Sequence, residues 1–380
     1  MDVLEKVRLN DGVVFGYGER GKALYQSIHK ICPLVDLVFC DNNKYIQKDL
    51  IDNENVFLPA EAVKLYRKRC FLLPSPAFAT EMREQLLREG VSENNIVSEI
   101  PDELFENLYQ KKRESRLQKR DYLRLEVNIV KHCNVNCKGC DHFAPLTKGE
   151  FMNVKNFERD MTRIAELFGK DNREIFILGG EPLLHPEICR FLEIARELFP
   201  DALLHIDTNG VLLGRMDDAF WETCNKLRVD IKVTIYPLGL DFDSLRNMAK
   251  EKNVDLQLLQ KIEPGGYHRL WKAPLDVEGR QDALESFINC GQANRCITLE
   301  NGRLFTCATG ANMRLFNEAF PNSALKLTDE DGIDIYEAAD KEEIYEYLSR
   351  PMPACKYCDV KNRKFGLPWE VSTKCIEEWT

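Results

Sequence analysis

The 380-residue sequence predicts an α/β protein in three parts: a small parallel-sheet unit, a partial β/α barrel and a cysteine-rich C-terminal region. Three observations predict it. Short apolar strands alternate with stretches of helical spacing within residues 1–101 and again from residue 124. The second run recurs at intervals of roughly 25 to 30 residues, the rhythm of a barrel built from β/α units. The cysteines gather in "CNVNCKGC" at 133–140 and again beyond residue 290.

In the first part, "GVVFGYGERGKALYQSIHK" (12–30) passes from an apolar strand through a glycine turn into a helix. "VDLVFCDNN" (35–43) and "RCFLLPS" (69–75) read as further strands, and "AFATEMREQLLREG" (77–90) as a helix with a glycine stop. The turn sets Gly16, Gly18 and Gly21 in G-x-G-x-x-G order, and Asp41 ends the next strand, where a ribose-binding acid would sit. Residues 1–101 are therefore expected to form a Rossmann-like domain. It resembles the nucleotide-sugar-binding domains of sugar-modifying enzymes, which implies a bound nucleotide or nucleotide-sugar; a scaffold or dimer surface is the alternative.

Residues 102–123 include "LYQKKRESRLQKRD", dense in charge and without Gly or Pro, and read as an exposed connecting helix whose basic run is a solvated face, with phosphate or partner binding as the alternative. The barrel region, 124–289, has strands at "LRLEVNIV", "EIFILGG", "ALLHIDTN", "DIKVTIYP" and "VDLQLLQ". Helices fall at "VKNFERDMTRIAELFG", "HPEICRFLEIARELFP" and "DAFWETCNKL". This reads as a full or partial β/α barrel with five legible strands. Residues 290–380 carry Cys290, Cys296, Cys307, Cys355, Cys358 and Cys375, with a hairpin turning at Asn301–Gly302.

A net charge of −10 argues against a nucleic-acid or anionic-membrane partner, and neither a signal-peptide core nor a membrane-spanning run is present, so the expected location is cytoplasmic. Fourteen cysteines in a reducing compartment are poor candidates for disulfides, so the clustered ones point to metal or redox chemistry. Cys32, Cys40, Cys70, Cys189 and Cys224 stand alone and read as small packing residues.

A [4Fe–4S] cluster held entirely by protein normally takes four thiolates. Cys133, Cys137 and Cys140 directly follow the first barrel strand, at the mouth where barrel active sites are built, and can wrap three corners and leave one iron open. A zinc site completed by His132 or His142 is the alternative on spacing alone.

With the motifs that follow, this CxxxCxxC resembles the radical S-adenosylmethionine (SAM) superfamily. "LGGEP" ends the second barrel strand and looks like the motif that holds the methionine amino group of SAM, here Gly179, Gly180, Glu181 and Pro182. "DTNG" ends the third with Asp207, Thr208 and Asn209, where the family contacts the SAM ribose and carboxylate, and "TIYP" ends the fourth with Tyr236. The resemblance implies that SAM binds the open iron and is cleaved reductively to a 5′-deoxyadenosyl radical, which abstracts hydrogen from an unreactive C–H bond. It also implies an external one-electron donor such as flavodoxin or ferredoxin. For the fold it implies a partial (β/α)6 TIM-like barrel, whose sixth strand is irregular or lies within 262–289.

"CGQANRCITLENGRLFTC" and "CKYC" resemble the auxiliary-cluster extensions of the same superfamily, the shorter "twitch" form more than the longer "SPASM" form. The implied ligands of a second [4Fe–4S] cluster are Cys296, Cys307, Cys355 and Cys358, with Cys290 as substitute for Cys296. Zinc is again the alternative. Such a cluster suits dehydrogenation, as an electron acceptor; a spare thiol, with Cys290 the candidate, suits epimerisation by returning a hydrogen atom. His142 and Tyr236 are candidate proton acceptors, with a hydrogen bond near the cluster and ring packing as their simpler roles. His185 and His205 read as structural. The loop "GGYHRLWKAPLD" (265–276) offers Tyr267, His268, Arg269 and Lys272 to close over substrate.

As a whole the chain is similar to radical SAM proteins of glycan pathways, which implies a sugar or nucleotide-sugar substrate. A peptide-modifying maturase is the alternative within the class, and a non-catalytic iron–sulfur or zinc protein the alternative outside it.

Overall fold

The computed structural model describes residues 2–43, 56–76, 78–259 and 270–380. The chain divides into two compact units, Met1–Ser115 and Arg116–Thr380. Among the described residues no helix is long and apolar enough to cross a membrane.

The first unit runs α1 (Val3–Asn10), β1 (Gly12–Phe15), α2 (Glu19–Ile31), β2 (Leu37–Cys40), β3 (Val56–Phe57), α3 (Pro59–Tyr66), β4 (Cys70–Leu72), α4 (Ala79–Arg88) and β5 (Ile96–Val97), and ends within α5 (Glu106–Leu117). Its sheet is parallel, in the order β3-β2-β1-β4-β5. Both faces are covered, so the strands are apolar throughout, and the two-residue period sorts their side chains. Val14, Phe39 and Leu72 pack on one side with Val7, Leu24 and Ile28; Val13, Phe15, Val38 and Phe71 pack on the other with Val63 and Leu86. The strand order reverses between β1 and β4, the switch point beside which the glycine turn after β1 lies. Missing from the sequence reading are α1, β3, α3 and β5; two-residue strands carry no measurable period.

The second unit begins β6 (Leu123–Val130), α6 (Val154–Phe168), β7 (Asn172–Gly179), α7 (Ile188–Leu198), β8 (Leu203–Thr208), α8 (Asp218–Leu227), β9 (Val229–Thr234), α9 (Phe242–Glu251) and β10 (Leu256–Leu259). Each strand pairs in parallel with the one before it. On β6, Leu125, Val127 and Ile129 join the main apolar core, whereas Glu126 and Asn128 fall on the opposite face. Helix α6 supplies that core with Phe157, Met161, Ile164 and Phe168, the i, i+4, i+7, i+11 stripe of an amphipathic helix. Each such side chain contributes about 1.5–3 kcal/mol by burial.

The chain continues with β11 (Leu270–Lys272), α10 (Ala283–Asn289), β12 (Ile297–Glu300), β13 (Arg303–Phe305), α11 (Ala308–Ala319), β14 (Ile333–Asp334), α12 (Lys341–Leu348) and β15 (Lys364–Leu367). Strands β12 and β13 form the expected hairpin, with Asn301 at φ 50° and Gly302 at φ 72° turning it.

The expected sixth barrel strand falls in part on 262–269, outside the described residues. In the described part of 262–289 the only strand is β11, which pairs antiparallel with β15 in a separate two-stranded sheet. The strand that lengthens the barrel sheet is β12, which lies parallel to β6 at the other edge through Ile297 and Leu125. Sheet order is β10-β9-β8-β7-β6-β12-β13-β14. Tyr267, His268 and Arg269 lie outside the described residues, and Lys272 is in β11.

Candidate active site at the barrel mouth

Residues 131–143 leave the C-terminal end of β6 as a loop carrying Cys133, Cys137 and Cys140. Tyr236, just beyond β9, reports their convergence. Burial pushes its hydroxyl up, and the charges of Cys137, Cys140 and Cys133 all add to the effect. Burial also pushes each of the three thiols up. Such thiols stay protonated unless a cation offsets the cost, and thiolate-bound iron supplies that offset. Among the described residues no three His, Cys, Asp or Glu side chains close on the position of one metal ion. Three thiols converging from one loop fit a cluster, whose corners are held one by one.

The ends of β7 and β8 press against this loop. Gly180 N donates to Val130 O at 2.7 Å, and Glu181 N to His132 O at 3.0 Å. A β-carbon on Gly180 would stand 2.0 Å from His132 O, so only glycine allows the approach. The Glu181 carboxylate is fully buried and turned onto protein donors: Leu183 N at 3.1 Å, Thr208 Oγ1 at 2.6 Å and Asn209 N at 2.9 Å. Burial pushes it up to about 7 despite those hydrogen bonds. Glu181 thus locks β7 to β8. Pro182, also buried, starts the short turn that follows. Asn209 reaches the cysteine loop, donating through Nδ2 to Asn134 Oδ1 at 2.8 Å and to Cys133 Sγ at 3.6 Å.

Below the mouth, the face of the sheet opposite the main core is polar. Arg124 pairs with Glu126 at 2.7 Å, and Arg124 and Lys232 both lie over the Phe176 ring. Asp207 Oδ1 is buried without a hydrogen-bond partner. Burial pushes the Asp207 carboxyl up to about 6, with Lys232 and Arg124 opposing and Glu126 adding. His205 is held neutral, down at about 4, by burial and by Lys232 and Arg124. His185 is structural: Met152 O lies 3.0 Å from Nε2, and Glu187 N donates to Nδ1. His142 follows Cys140 with Nδ1 buried and unpartnered.

The later cysteines lie around Cys290, the substitute ligand of the sequence reading. Burial raises Cys307, and the charges of Cys290 and Cys358 raise it further; Cys290 likewise acts on Cys355 and Cys358. Cys290 thus stands near Cys307, Cys355 and Cys358, and Cys296 also acts on Cys307. Cys296, the first choice from sequence, borders them but turns to β6, where Glu126, Arg124 and Asp141 surround it. The reason is local. Cys296 immediately precedes β12, so β12 pairing with β6 fixes its direction, whereas Cys290 caps α10.

Two arginines missed by sequence reasoning face this group. Arg116 donates to Cys290 O at 2.7 Å, and Arg363 carries its charge near Cys290 and Cys358. Gln292 links the two cysteine regions, donating to Asp141 while its Oε1 accepts from Thr309 at 3.0 Å. Cys375 is exposed.

In the first unit the glycine turn meets Asp41, as the spacing suggested, but the carboxylate is engaged. Tyr17 N donates to Oδ2 and Asn43 N to Oδ1, each at 2.8 Å. As it stands Asp41 fastens the turn to β2; a ribose would have to share or displace these bonds.

Residues 127–287 match the family model described as Radical SAM superfamily. The chain thus carries a radical SAM superfamily domain on the barrel half just described. Among curated proteins it is 37% identical over 102 residues to "GTP 3′,8-cyclase" of Chlorobaculum tepidum, covering 27% of this chain and 29% of that protein. It is 27% identical over 148 residues to the "GTP 3′,8-cyclase" of Aliarcobacter butzleri, covering 39% and 42%. The chain therefore spans less than half the length of these relatives. Among solved structures, that of BtrN with AdoMet and 2-DOIA is 16% identical with a TM-score of 0.40, covering 64% of this chain and 94% of that one.

Proposed function

We propose that the protein is a two-cluster radical SAM enzyme that dehydrogenates a polar, hydroxyl-bearing small molecule of the sugar or nucleotide-sugar type. Cys133, Cys137 and Cys140 would hold the SAM-binding [4Fe–4S] cluster, and Cys290, Cys307, Cys355 and Cys358 an auxiliary one in a twitch-like region. When bound, the first cluster with SAM supplies hydrogen-atom abstraction, and the second supplies a one-electron acceptor.

The observation that carries this reading is the grouping of Cys290 with Cys307, Cys355 and Cys358. As fourth ligand Cys290 would not be free to return a hydrogen atom, and this supports oxidation over epimerisation. Removing two hydrogens from a secondary alcohol releases one hydrogen atom, one electron and one proton. Asp207 is the residue suited to receive the proton: half-buried, shielded and unpartnered at Oδ1, and raised to about 6. Arg124, Glu126 and Lys232 give the same face the alternating charge and hydrogen-bonding capacity that a polyhydroxyl substrate needs. A second reading, action on a purine nucleotide, has the named activity of the curated relatives in its favour.

The test is anaerobic turnover against a panel of nucleotide-sugars, aminocyclitols and GTP, following 5′-deoxyadenosine and substrate mass. A product lighter by two hydrogens from a sugar-type substrate supports the proposal; an isomeric product from GTP establishes the second reading instead.

A further inference from the structure

The segment 369–379 folds back over the three-cysteine loop, although nothing in its sequence announces a cofactor. Its contacts are mutual and closely spaced. Lys138 N donates to Glu370 O at 2.9 Å, Ser372 N donates to Asn136 O at 2.8 Å, and Cys137 and Val371 form an antiparallel bridge. Trp379 Nε1 donates to Cys140 O at 2.8 Å. Glu378 gathers Ser372, Thr373 and the Gly139 N–H on its carboxylate. A β-carbon on Gly139, at φ +64°, would stand 2.9 Å from Glu378 O, so this glycine admits the segment. One contact reaches a sulfur directly: Trp369 Nε1 donates to Cys137 Sγ at 3.1 Å, with the Trp369 ring 6.2 Å from that of Tyr236.

We propose that residues 369–379 are part of the cofactor site, clamping the three-cysteine loop through its main chain and tuning its middle thiolate through the Trp369 indole N–H. The inference rests on the three thiols holding the SAM-binding cluster. Main-chain pairing fixes the loop at Asn136, Cys137 and Lys138, so the spacing of the thiols is set from outside the loop as well as from β6. An N–H donated to a thiolate draws charge from the iron–sulfur bond and stabilises the reduced, more negative cluster. Trp369 is thus a positioning and tuning residue, with no part in bond breaking.

The test uses the full chain, reconstituted anaerobically, with Trp369→Phe and Trp379→Phe beside the parent. The readouts are iron and sulfide content, the iron loss rate under a chelator, and the midpoint potential of the EPR signal that changes shape when SAM is added. That last criterion selects the cluster with an open iron. Trp369→Phe is expected to keep its iron and shift this potential to a more negative value. Trp379→Phe, which loses a loop contact but none to sulfur, should leave the potential in place and lose iron faster. An unchanged potential in Trp369→Phe, or equal iron loss in parent and Trp379→Phe, overturns the proposal. A SAM-responsive signal missing from the parent itself overturns the underlying assignment of the three thiols, a separate and recognisable failure.

Discussion

Gly180 and Cys290 show how differently single residues can be read. The double glycine was legible as a motif, but its necessity is steric: it lies against His132 O at a distance no β-carbon tolerates. Gly180→Ala should destabilise the fold by about 2–3 kcal/mol, measured by urea titration of the metal-free chain, because the cysteine loop must move aside. Cys296 was preferred to Cys290 as a ligand in sequence, though the two lie only six positions apart before the same hairpin. Their surroundings separate them, and iron content can check it. Cys290→Ser should lose about four of eight irons, whereas Cys296→Ser should keep about eight. Asp207→Asn should still form 5′-deoxyadenosine yet lose the oxidised product by at least about 100-fold. Asp207 accepts a proton only as a carboxylate, and its pKa lies at about 6, so product formation in the parent should fall as pH drops through 6.

Among elements, the barrel strands and α6 to α8 were legible because each carries several side chains of one period against a continuous core. The coupling between strand ends was not. Glu181 joins β7 to β8 and has a pH signature. Its pKa rises from 4.5 to about 7 on folding, so the folded chain holds a proton across that interval that the unfolded chain has released. Stability present below pH 4.5 is therefore lost as pH rises toward 7. The melting temperature of the metal-free parent should carry this downward contribution, and Glu181→Gln should lack it. His205, lowered to about 4, acts in the opposite sense and is present in both proteins, so the comparison removes it. The two-residue strands β3 and β5, the pairing of β12 with β6 and the return of segment 369–379 left no periodic trace. Each depends on hydrogen bonds to backbone far away in the chain.

At the scale of the molecule the chain forms two units, and the first has its own sheet with an apolar core on each face. Residues 1–115 expressed alone should therefore unfold cooperatively by circular dichroism, and a featureless melt would refute their independence. Nucleotide-sugar added to that fragment should raise its melting temperature if Asp41 releases its backbone donors. The sequence by itself determined the α/β class, the two series of β/α units, the hairpin turn and the three thiols beside the first barrel strand. These depend on local spacing, which survives without knowledge of the fold. Only the tertiary structure decided what surrounds Cys290 and Cys296, which strand extends the barrel sheet and what covers the cysteine loop. Those outcomes are set by long-range backbone pairing and burial, and no short window of residues contains them.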